Sequence, residues 1–318
     1  ECSSTSKAVL DRLHRPLRDL RISVTDRCNF RCVYCMPREI FGPGYAFLPR
    51  KDLLTLEEIA RVAQVFAALG MRKVRITGGE PLIRRNLEHL IEMIDATEGV
   101  QDISLTTNGS MLTADRAASL KQAGLKRLTI SLDALDDATF KSINDVDYPA
   151  SRVLDGINNA RAAGFLDIKV NAVVRRGLNE HAVLDLAKHF RHSGCIVRFI
   201  EYMDVGETNG WNLDDVIPAA DLVDRIDALY PLEAVSPNYP GEVAKRWRYR
   251  DGAGEIGFIT SVTQSFCGDC SRARLSAVGE LYTCLFGTQG HDLRSLLRSG
   301  ADDAQLLQAV SEIWQERA

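Results

Sequence analysis

Apolar and polar residues alternate in short segments along the first two thirds of the chain, and amphipathic helical patterns lie between these segments. The clearest helix covers 56–69, because Thr55 and Glu58 form a capping box before it and Gly70 ends it. Asn179 is expected to cap the last helix of the series. The predicted strands are 20–24, 73–77, 101–107, 126–132, 167–174 and 195–202, and the predicted helices are 56–69, 84–97, 113–123, 150–163 and 179–192.

Six strands that alternate with helices predict six β/α units joined by right-handed crossovers. Six units suit an α/β fold with a partial (β/α)6 TIM-like barrel better than the closed barrel, which needs eight. Beyond residue 205 the pattern changes to one helix near 218–229 and short strands near 246–250 and 255–260. We therefore expect an N-terminal lead-in (1–16), a barrel core (17–204) and a C-terminal α+β extension (205–318) that closes the open side.

The predicted strands carry a polar face as well as an apolar one. Parallel strands covered by helices on both sides read as nearly continuous apolar runs, which these strands do not. Helices that cover only the apolar faces leave the polar faces to line a common cavity. The alternative is an antiparallel sheet with one solvated face, which the intervening helices disfavour. The inward-facing polar positions are then Arg21, Ser23, Lys73, Arg75, Thr129, Ser131, Asp133, Lys169 and Asn171.

Composition narrows the class of protein. The 318 residues are 45% hydrophobic, contain no apolar run near eighteen residues and carry a net charge of -4, so we expect no membrane span and no nucleic-acid or membrane partner. The segment Glu1–Ser6 lacks an initiator Met and a signal-peptide core, and we interpret it as a processing remnant. Six of the eight cysteines form two groups, which favours a reducing compartment; Cys2 and Cys195 are interpreted as incidental.

Cys28, Cys32 and Cys35 form a CxxxCxxC motif directly after the first predicted strand. Three thiolates can hold three corners of a four-iron cluster, which leaves one iron free to bind another molecule. Structural zinc requires four ligands, and the nearest histidine, His14, lies on the far side of the strand. The spacing therefore predicts an open iron–sulfur cluster.

Gly78 and Gly79 begin a GGEP sequence directly after the second predicted strand. Glycines at this position allow the backbone to approach a ligand closely, although a tight strand–helix turn would also explain them. Together with CxxxCxxC, the GGEP sequence resembles the radical S-adenosylmethionine (SAM) enzymes. In that superfamily SAM fills the open iron through its amino and carboxylate groups.

A second set of three cysteines, Cys267, Cys270 and Cys284, follows in the extension. Their spacing alone fits either a second open cluster or a zinc site completed by His291. Arg272 and Arg274 lie on one face of the strand that follows Cys270. Surface arginines are usually only solvated charges, but two beside a cluster favour the binding of an anion.

Several further motifs narrow the resemblance to one family. They are LRISVTDRCNFRCVYCMP, VRITGGEP, LTTNG, FIEYM, GEIGFI and CxxCxRxRL followed by GELYTCLF. From Leu17 to Arg317 the chain resembles the GTP 3′,8-cyclases of molybdenum cofactor biosynthesis. The CxRxR pattern is much more discriminating than the radical SAM motif alone.

The resemblance implies two [4Fe-4S] clusters that face each other across the lumen, one held by Cys28, Cys32 and Cys35 and the other by Cys267, Cys270 and Cys284. It implies SAM as cofactor and the conversion of GTP, by 3′-hydrogen abstraction, to (8S)-3′,8-cyclo-7,8-dihydroguanosine 5′-triphosphate. Arg272 and Arg274 match catalytic positions. The SAM-contacting positions are Tyr34, Gly78, Gly79, Glu80, Ser131 and Met203, and the GTP-contacting positions are Arg21, Lys73, Arg75, Thr106, Lys169, Arg198, Arg272 and Arg274.

The resemblance also implies partners: a flavodoxin-like or ferredoxin-like electron donor and a downstream cyclic pyranopterin monophosphate synthase. It favours the bacterial cytoplasm over the mitochondrial matrix and leaves a homodimer open. The alternatives are a radical SAM peptide-modifying enzyme with an auxiliary cluster and an inactive iron–sulfur scaffold. Relatives end in a mobile tail with two glycines, whereas this sequence closes at Trp314–Ala318. We therefore expect ligand binding but weak product formation.

Overall fold

A computed structural model describes residues 8–204 and 209–318, so Cys2, Glu1–Ser6 and the start of the predicted extension lie outside the described residues. The described strands form one sheet. They are β1 Asp19–Ser23, β2 Lys73–Thr77, β3 Asp102–Thr107, β4 Arg127–Ser131, β5 Ile168–Val174, β6 Ile196–Glu201, β7 Leu232–Val235, β8 Lys245–Tyr249, β9 Glu255–Ile259, β10 Arg272–Leu275, β11 Glu280–Tyr282 and β12 His291–Asp292. The helices are α1 Leu56–Ala68, α2 Leu87–Asp95, α3 Ala114–Gln122, α4 Asp137–Asn144, α5 Ala150–Ala162, α6 Val183–Phe190, α7 Ala219–Asp227, α8 Leu293–Arg298 and α9 Asp303–Gln315.

Strands β1 to β6 are neighbours in chain order and are all parallel, which confirms the six-unit partial barrel. The extension lengthens this sheet at both edges. Strand β10 pairs with β1 and β9 pairs with β6, both in parallel, and antiparallel strands follow outside them. The order of described strands runs from β12 to β7 without returning to its start, so the barrel is open.

The helices cover the apolar face of the strands, and the polar face is turned inward. Side chains in β1, β2 and β5 alternate strictly between buried and partly exposed. Leu20, Ile22 and Ile76 are completely buried on the helix side. Helix α1 packs on α2 and α9, and its predicted Thr55–Glu58 capping box is present. The alternation in sequence therefore predicted the two faces of the sheet correctly.

Two local predictions were wrong. Asn179 does not cap a helix; its Nδ2 donates to the carbonyls of Asp133 (3.0 Å) and Val173 (2.8 Å) and joins two strand ends. Helix α6 begins only at Val183, after a short 3-10 turn. Helix α4, capped by Asp136, was not predicted at all. No helix among the described residues is long and apolar enough to cross a membrane.

Candidate active site

The first cysteine loop follows the carboxyl end of β1 and is held by its own backbone. The amides of Cys35 and Met36 both donate to the carbonyl of Cys32 at 2.9 Å, and Arg31 Nη1 donates to the carbonyl of Cys28 at 2.8 Å. Burial raises the pKa of all three thiols, that of Cys35 to about 11. Three close, desolvated thiols gain most from a cationic centre that takes them as thiolates, so this donor set fits an iron–sulfur cluster.

The GGEP turn packs directly on that loop. A Cβ added to Gly79 would lie 2.3 Å from the carbonyl oxygen of Arg27 and 3.0 Å from the amide nitrogen of Cys28. One added to Gly78 would lie 2.7 Å from the carbonyl oxygen of Thr25. Both glycines are therefore required by the close approach of two backbones, which is a reason that the sequence did not reveal.

Glu80 supports the packing of the GGEP turn on the first cysteine loop. Its side chain is 1% exposed and accepts hydrogen bonds from Leu82 N (3.0 Å), Thr107 Oγ1 (2.7 Å) and Asn108 N (2.7 Å). Asn108 in turn donates to the Asn29 side chain at 2.9 Å. In this structure the carboxylate orders the ends of β2 and β3 around the cysteine loop. Its predicted contact with SAM stays a prediction.

Tyr34, Ser131 and Met203 lie around the same end of the barrel. The Tyr34 hydroxyl donates to Asp133 Oδ2 at 2.9 Å, and Asp133 Oδ1 accepts from Val173 N at 2.8 Å. Burial raises the pKa of Asp133 to about 6. Asn209 Nδ2 donates to the carbonyls of Tyr34 (3.1 Å) and Met203 (3.2 Å).

Asp133 was predicted only as an inward-facing polar position without a role, and Asn209 was not predicted at all. For Asp133 a signal existed, because an acid between Leu132 and Ala134 at a strand end has to find donors once it is buried. Asn209 lies in a segment without a periodic pattern, so nothing in the sequence indicated its role.

The barrel interior holds a cavity of about 210 Å³. All the predicted GTP-contacting residues line it, together with the predicted SAM contact Met203. The cavity also contains residues that the prediction did not include, among them Arg127, Tyr239 and Glu242. The predicted residues that line the cavity are Arg21, Lys73, Arg75, Thr106, Lys169, Arg198, Arg272 and Arg274.

Positive charge in this lumen is only partly balanced. Burial and the neighbouring Arg75 and Arg274 lower the pKa of Arg21 well below its ordinary value. Burial and Arg198 lower the pKa of Lys169 to about 8, and burial and Arg75 lower that of Arg198 to about 9. The mutual repulsion indicates a site built for an anion.

Two buried polar atoms in the lumen, Arg21 Nε and Thr106 Oγ1, have no hydrogen-bond partner among the described residues. Buried donors without an acceptor are rare and indicate a missing ligand or water. Arg127 differs from them, because its Nε donates to Asp102 Oδ1 at 2.9 Å. Lys73 Nζ lies 3.2 Å from the centre of the Tyr239 ring. Tyr239 comes from a proline-punctuated loop, so no pattern could have predicted it here.

The second cysteine set lies at the opposite end of the lumen. Strand β10 starts at Arg272, which is level with Asp19 at the amino end of β1, whereas the first set follows the carboxyl end of β1. Cys267, Cys270 and Cys284 line one cavity of about 190 Å³ together with Arg272 and Arg274. Three thiols from two segments that share one cavity fit a cluster.

Electrostatics at this end differ from those at the first. Burial acts to raise the pKa of Cys270, but Arg272 and Arg317 lower it below its ordinary value. Arg272 Nη2 lies 3.6 Å from Cys270 Sγ. His291, the candidate zinc ligand, lies on β12 and does not line the cavity. In residues 8–204 and 209–318 no group of three or more His, Cys, Asp or Glu side chains could hold a single metal ion.

The whole chain is similar to curated bacterial proteins. It is 56% identical over 317 residues to a GTP 3′,8-cyclase of Acidothermus cellulolyticus, covering 98% of this chain and 87% of the relative. It is 47% identical over 312 residues to a GTP 3′,8-cyclase of Staphylococcus epidermidis, covering 98% and 91%. The chain belongs to the GTP 3′,8-cyclase family. The resemblance in the sequence motifs is thereby confirmed.

Two family models match successive parts of this GTP 3′,8-cyclase family member. Residues 22–190 match the radical SAM superfamily, and residues 195–318 match Molybdenum Cofactor Synthesis C. Radical SAM enzymes use SAM and a [4Fe-4S] cluster, and the CxxxCxxC loop supplies the ligands that such a cluster needs. The predicted enzyme class is thus confirmed, while the roles of individual residues stay predictions.

Solved structures confirm the fold. SuiB of Streptococcus suis bound to S-adenosylmethionine aligns with a TM-score of 0.66 at 15% identity, covering 93% of this chain and 68% of that one. Native anSMEcpe with bound AdoMet aligns with a TM-score of 0.56 at 16% identity, covering 90% and 81%. At such identities the likeness concerns the fold alone. It shows that this chain shares the architecture of these two distant proteins.

Proposed function

We propose that this chain converts GTP to (8S)-3′,8-cyclo-7,8-dihydroguanosine 5′-triphosphate, the first step of molybdenum cofactor biosynthesis. The observation that carries the proposal is the lumen between the two cysteine sets. It gathers cations whose charges are only partly balanced by acids, and it holds buried donors that have no acceptor among the described residues. A nucleoside triphosphate supplies the negative charge and the acceptors that this lumen lacks.

The triphosphate is gripped by cations on neighbouring strands. Arg21 on β1 is level with Arg75 on β2 and with Arg274 on β10, so three guanidinium groups lie side by side across the sheet. Each can bind a phosphate through two parallel hydrogen bonds. Lys169 and Arg198 add charge from β5 and β6. Loss of one such arginine costs about 2–4 kcal/mol in binding or in positioning of the transition state.

SAM binds at the carboxyl end of the strands, against Tyr34, Gly79, Ser131 and Met203. Its support there is preorganised, because Asp133 fixes the Tyr34 hydroxyl and Asn209 joins the carbonyls of Tyr34 and Met203. Bound SAM and its cluster supply the one-electron chemistry that removes the ribose 3′ hydrogen. The protein places the ribose between the two ends of the lumen and keeps water away from it.

Cys267, Cys270 and Cys284 would hold a second [4Fe-4S] cluster, whose iron without a protein ligand would be free to bind the guanine. Support comes from the shared cavity, from the low pKa of Cys270 and from the exclusion of His291 from that cavity. Arg272 and Arg274 line both the lumen and this cavity, so they can contact a substrate that reaches the cluster. We assign these two arginines the catalytic role that the motif predicted.

The test is an anaerobic assay of reconstituted protein with GTP, SAM and dithionite. We expect methionine, 5′-deoxyadenosine and the cyclised nucleotide, identified by mass spectrometry, and no cyclised product when ATP replaces GTP. SAM cleavage without any nucleotide product, or modification of an added peptide instead, would overturn the proposal. A flavodoxin-like or ferredoxin-like reductant and a cyclic pyranopterin monophosphate synthase would precede and follow this step. The bacterial relatives support a bacterial rather than a mitochondrial protein.

A further inference from the structure

A buried ionic cluster joins the two ends of the described chain. The Asp11 side chain is completely buried and accepts hydrogen bonds from the backbone amides of Leu13 (3.0 Å) and Arg15 (2.8 Å). It also accepts from Arg15 Nε at 2.6 Å and from Arg317 Nη1 at 3.3 Å. We call Asp11, Arg15 and Arg317 the terminal clamp. Two arginines on one buried carboxylate leave one positive charge in excess.

Both arginines of the terminal clamp reach the second cysteine set. Arg15 Nη1 donates to the carbonyl of Cys267 at 3.0 Å, and Arg317 Nη1 donates to the carbonyl of Cys270 at 2.6 Å. These two carbonyls lie on either side of a turn in which the amide of Cys270 donates to the carbonyl of Cys267 at 3.2 Å. The terminal clamp therefore fixes the position of both cysteines at their backbone.

The arginines are themselves fixed by α9. Trp314 is 1% exposed, and its Nε1 donates to the carbonyl of Arg15 at 3.1 Å. The Arg317 guanidinium lies 4.6 Å from the centre of the Trp314 ring, and Arg12 N donates to the carbonyl of Arg317 at 3.1 Å. A buried ion pair adds little net stability compared with apolar packing, so a network this complete is better explained by specific positioning.

One atom of the terminal clamp remains without a partner. Arg15 Nη2 is buried and has no hydrogen-bond acceptor in the part of the chain that the structure describes, and Arg15 lines the same cavity as Cys267, Cys270 and Cys284. A buried guanidinium donor needs an acceptor. Thiolate and sulfide sulfurs of a cluster are acceptors, and hydrogen bonds to cluster sulfurs shift the reduction potential.

We propose that Asp11, Arg15 and Arg317 are positioning residues that hold the second cysteine set in cluster-binding geometry, with Arg15 Nη2 donating to a sulfur of the bound cluster. This inference rests on the second cluster of the proposed function. The first cysteine set uses an arginine of its own loop in the same way, since Arg31 donates to the carbonyl of Cys28. The second set takes this support from residues about 250 positions before it and about 50 after it in the chain.

The experiment uses the full chain with Cys28, Cys32 and Cys35 changed to Ala, so that only the second cluster can form. Arg15→Lys keeps a charge beside Asp11 but has one nitrogen, which cannot serve both Asp11 and the Cys267 carbonyl. Arg317→Met removes the contact with Cys270 and leaves Arg15 to balance Asp11. Iron per chain and the midpoint potential are measured after anaerobic reconstitution. We expect at least a twofold loss of iron or a more negative potential in each variant.

Arg61→Lys is the matched control, because Arg61 ties α1 to Asp303 of α9 without touching the cysteines. Full iron at an unchanged potential in both clamp variants overturns the proposal. If the parent chain binds no iron, the second cluster of the proposed function fails instead. In that case, amide hydrogen exchange of the metal-free chain tests the terminal clamp. Exchange at residues 267–272 that is at least tenfold faster in the two clamp variants than in Arg61→Lys supports the proposal, and equal exchange overturns it.

Discussion

Cys32 and Cys270, one at each end of the lumen, have thiol pKa values shifted in opposite directions. At the first end, burial and then Asp133 raise the pKa of Cys32. At the second end, Arg272 and Arg317 outweigh burial and lower the pKa of Cys270. The same sheet thus presents an end without excess positive charge and a strongly cationic end to one cavity.

The direction of the strands explains the difference. Loops that leave the carboxyl ends of parallel strands carry free backbone amides, and buried carboxylates at the first end accept hydrogen bonds from these amides. Glu80 accepts from Asn108 N, Asp133 from Val173 N, and Glu201 from Ala219 N and Val262 N. These three carboxylates are therefore satisfied at the first end, whereas the buried Arg15 Nη2 at the second end has no acceptor among the described residues. In the proposed function, the first end receives SAM, whose sulfonium and ammonium groups outnumber its one carboxylate, and the cationic end receives the triphosphate.

The largest effect is expected when the three cysteines of one end are replaced at a time. Changing Cys267, Cys270 and Cys284 together to Ala should lower the iron content from about eight to about four per chain. SAM cleavage should continue, because the first end does not depend on these residues. The matching triple change of Cys28, Cys32 and Cys35 should abolish SAM cleavage. Iron analysis and product chromatography check both variants, and full iron in the first would contradict a second cluster.

Arg272→Ala or Arg274→Ala should lower GTP cyclisation by a factor of roughly thirty to several hundred, equivalent to about 2–4 kcal/mol. Uncoupled SAM cleavage should remain near the wild-type rate, since both arginines belong to the cationic end. Arg248→Ala is the control, because its side chain is 60% exposed and pairs only with Glu233 on the surface. Equal loss of GTP cyclisation and SAM cleavage in Arg272→Ala or Arg274→Ala would indicate a damaged fold and would contradict the functional separation of the two ends.

Gly79→Ala should affect the first end selectively. The added Cβ would lie 2.3 Å from a backbone carbonyl that cannot rotate away. We expect about 1–3 kcal/mol of lost stability, measured by urea unfolding, and reduced iron at the first cluster only. At Gly44 nothing lies within 4 Å of an added Cβ, so Gly44→Ala should change neither quantity. Wild-type stability in Gly79→Ala would show that the cysteine loop can move.

The smallest effect concerns pH. The pKa of Lys169 in the free protein is about 8, so its charge is present below pH 8 and is lost above it. A bound triphosphate favours the charged form, and GTP binding should therefore weaken by up to about fivefold between pH 8 and 9. Lys169→Arg should reduce this dependence, because the ordinary pKa of a guanidinium lies well above that of a Lys amine, and the lowered pKa of Arg198 accounts for the dependence that remains. Calorimetry without reductant measures both, and pH-independent binding by the wild type would contradict the assignment.

The sequence predicted the barrel well because the alternation of polar and apolar residues within each strand indicates which face is covered by helices. Arg21 and Arg75 alternate with buried Leu20 and Ile76, and both lie in the lumen as expected. Residues whose roles depend on distant partners were missed. Asp11 and Arg317 are 306 positions apart and meet only in the folded protein. Asn179 looked like a cap, but its amide found two strand-end carbonyls instead.

The attachment of β10 to β1 has a consequence for synthesis on the ribosome. Asp19 and its partner Ser271 are 252 residues apart, so one edge of β1 stays without its neighbour while most of the chain is translated. At about 5–20 residues per second this delay is roughly 13–50 s. During that time the sheet has an unpaired edge beside an unfilled, positively charged interior. Nascent chains truncated before β10 should therefore be the form most prone to aggregate and most dependent on chaperones.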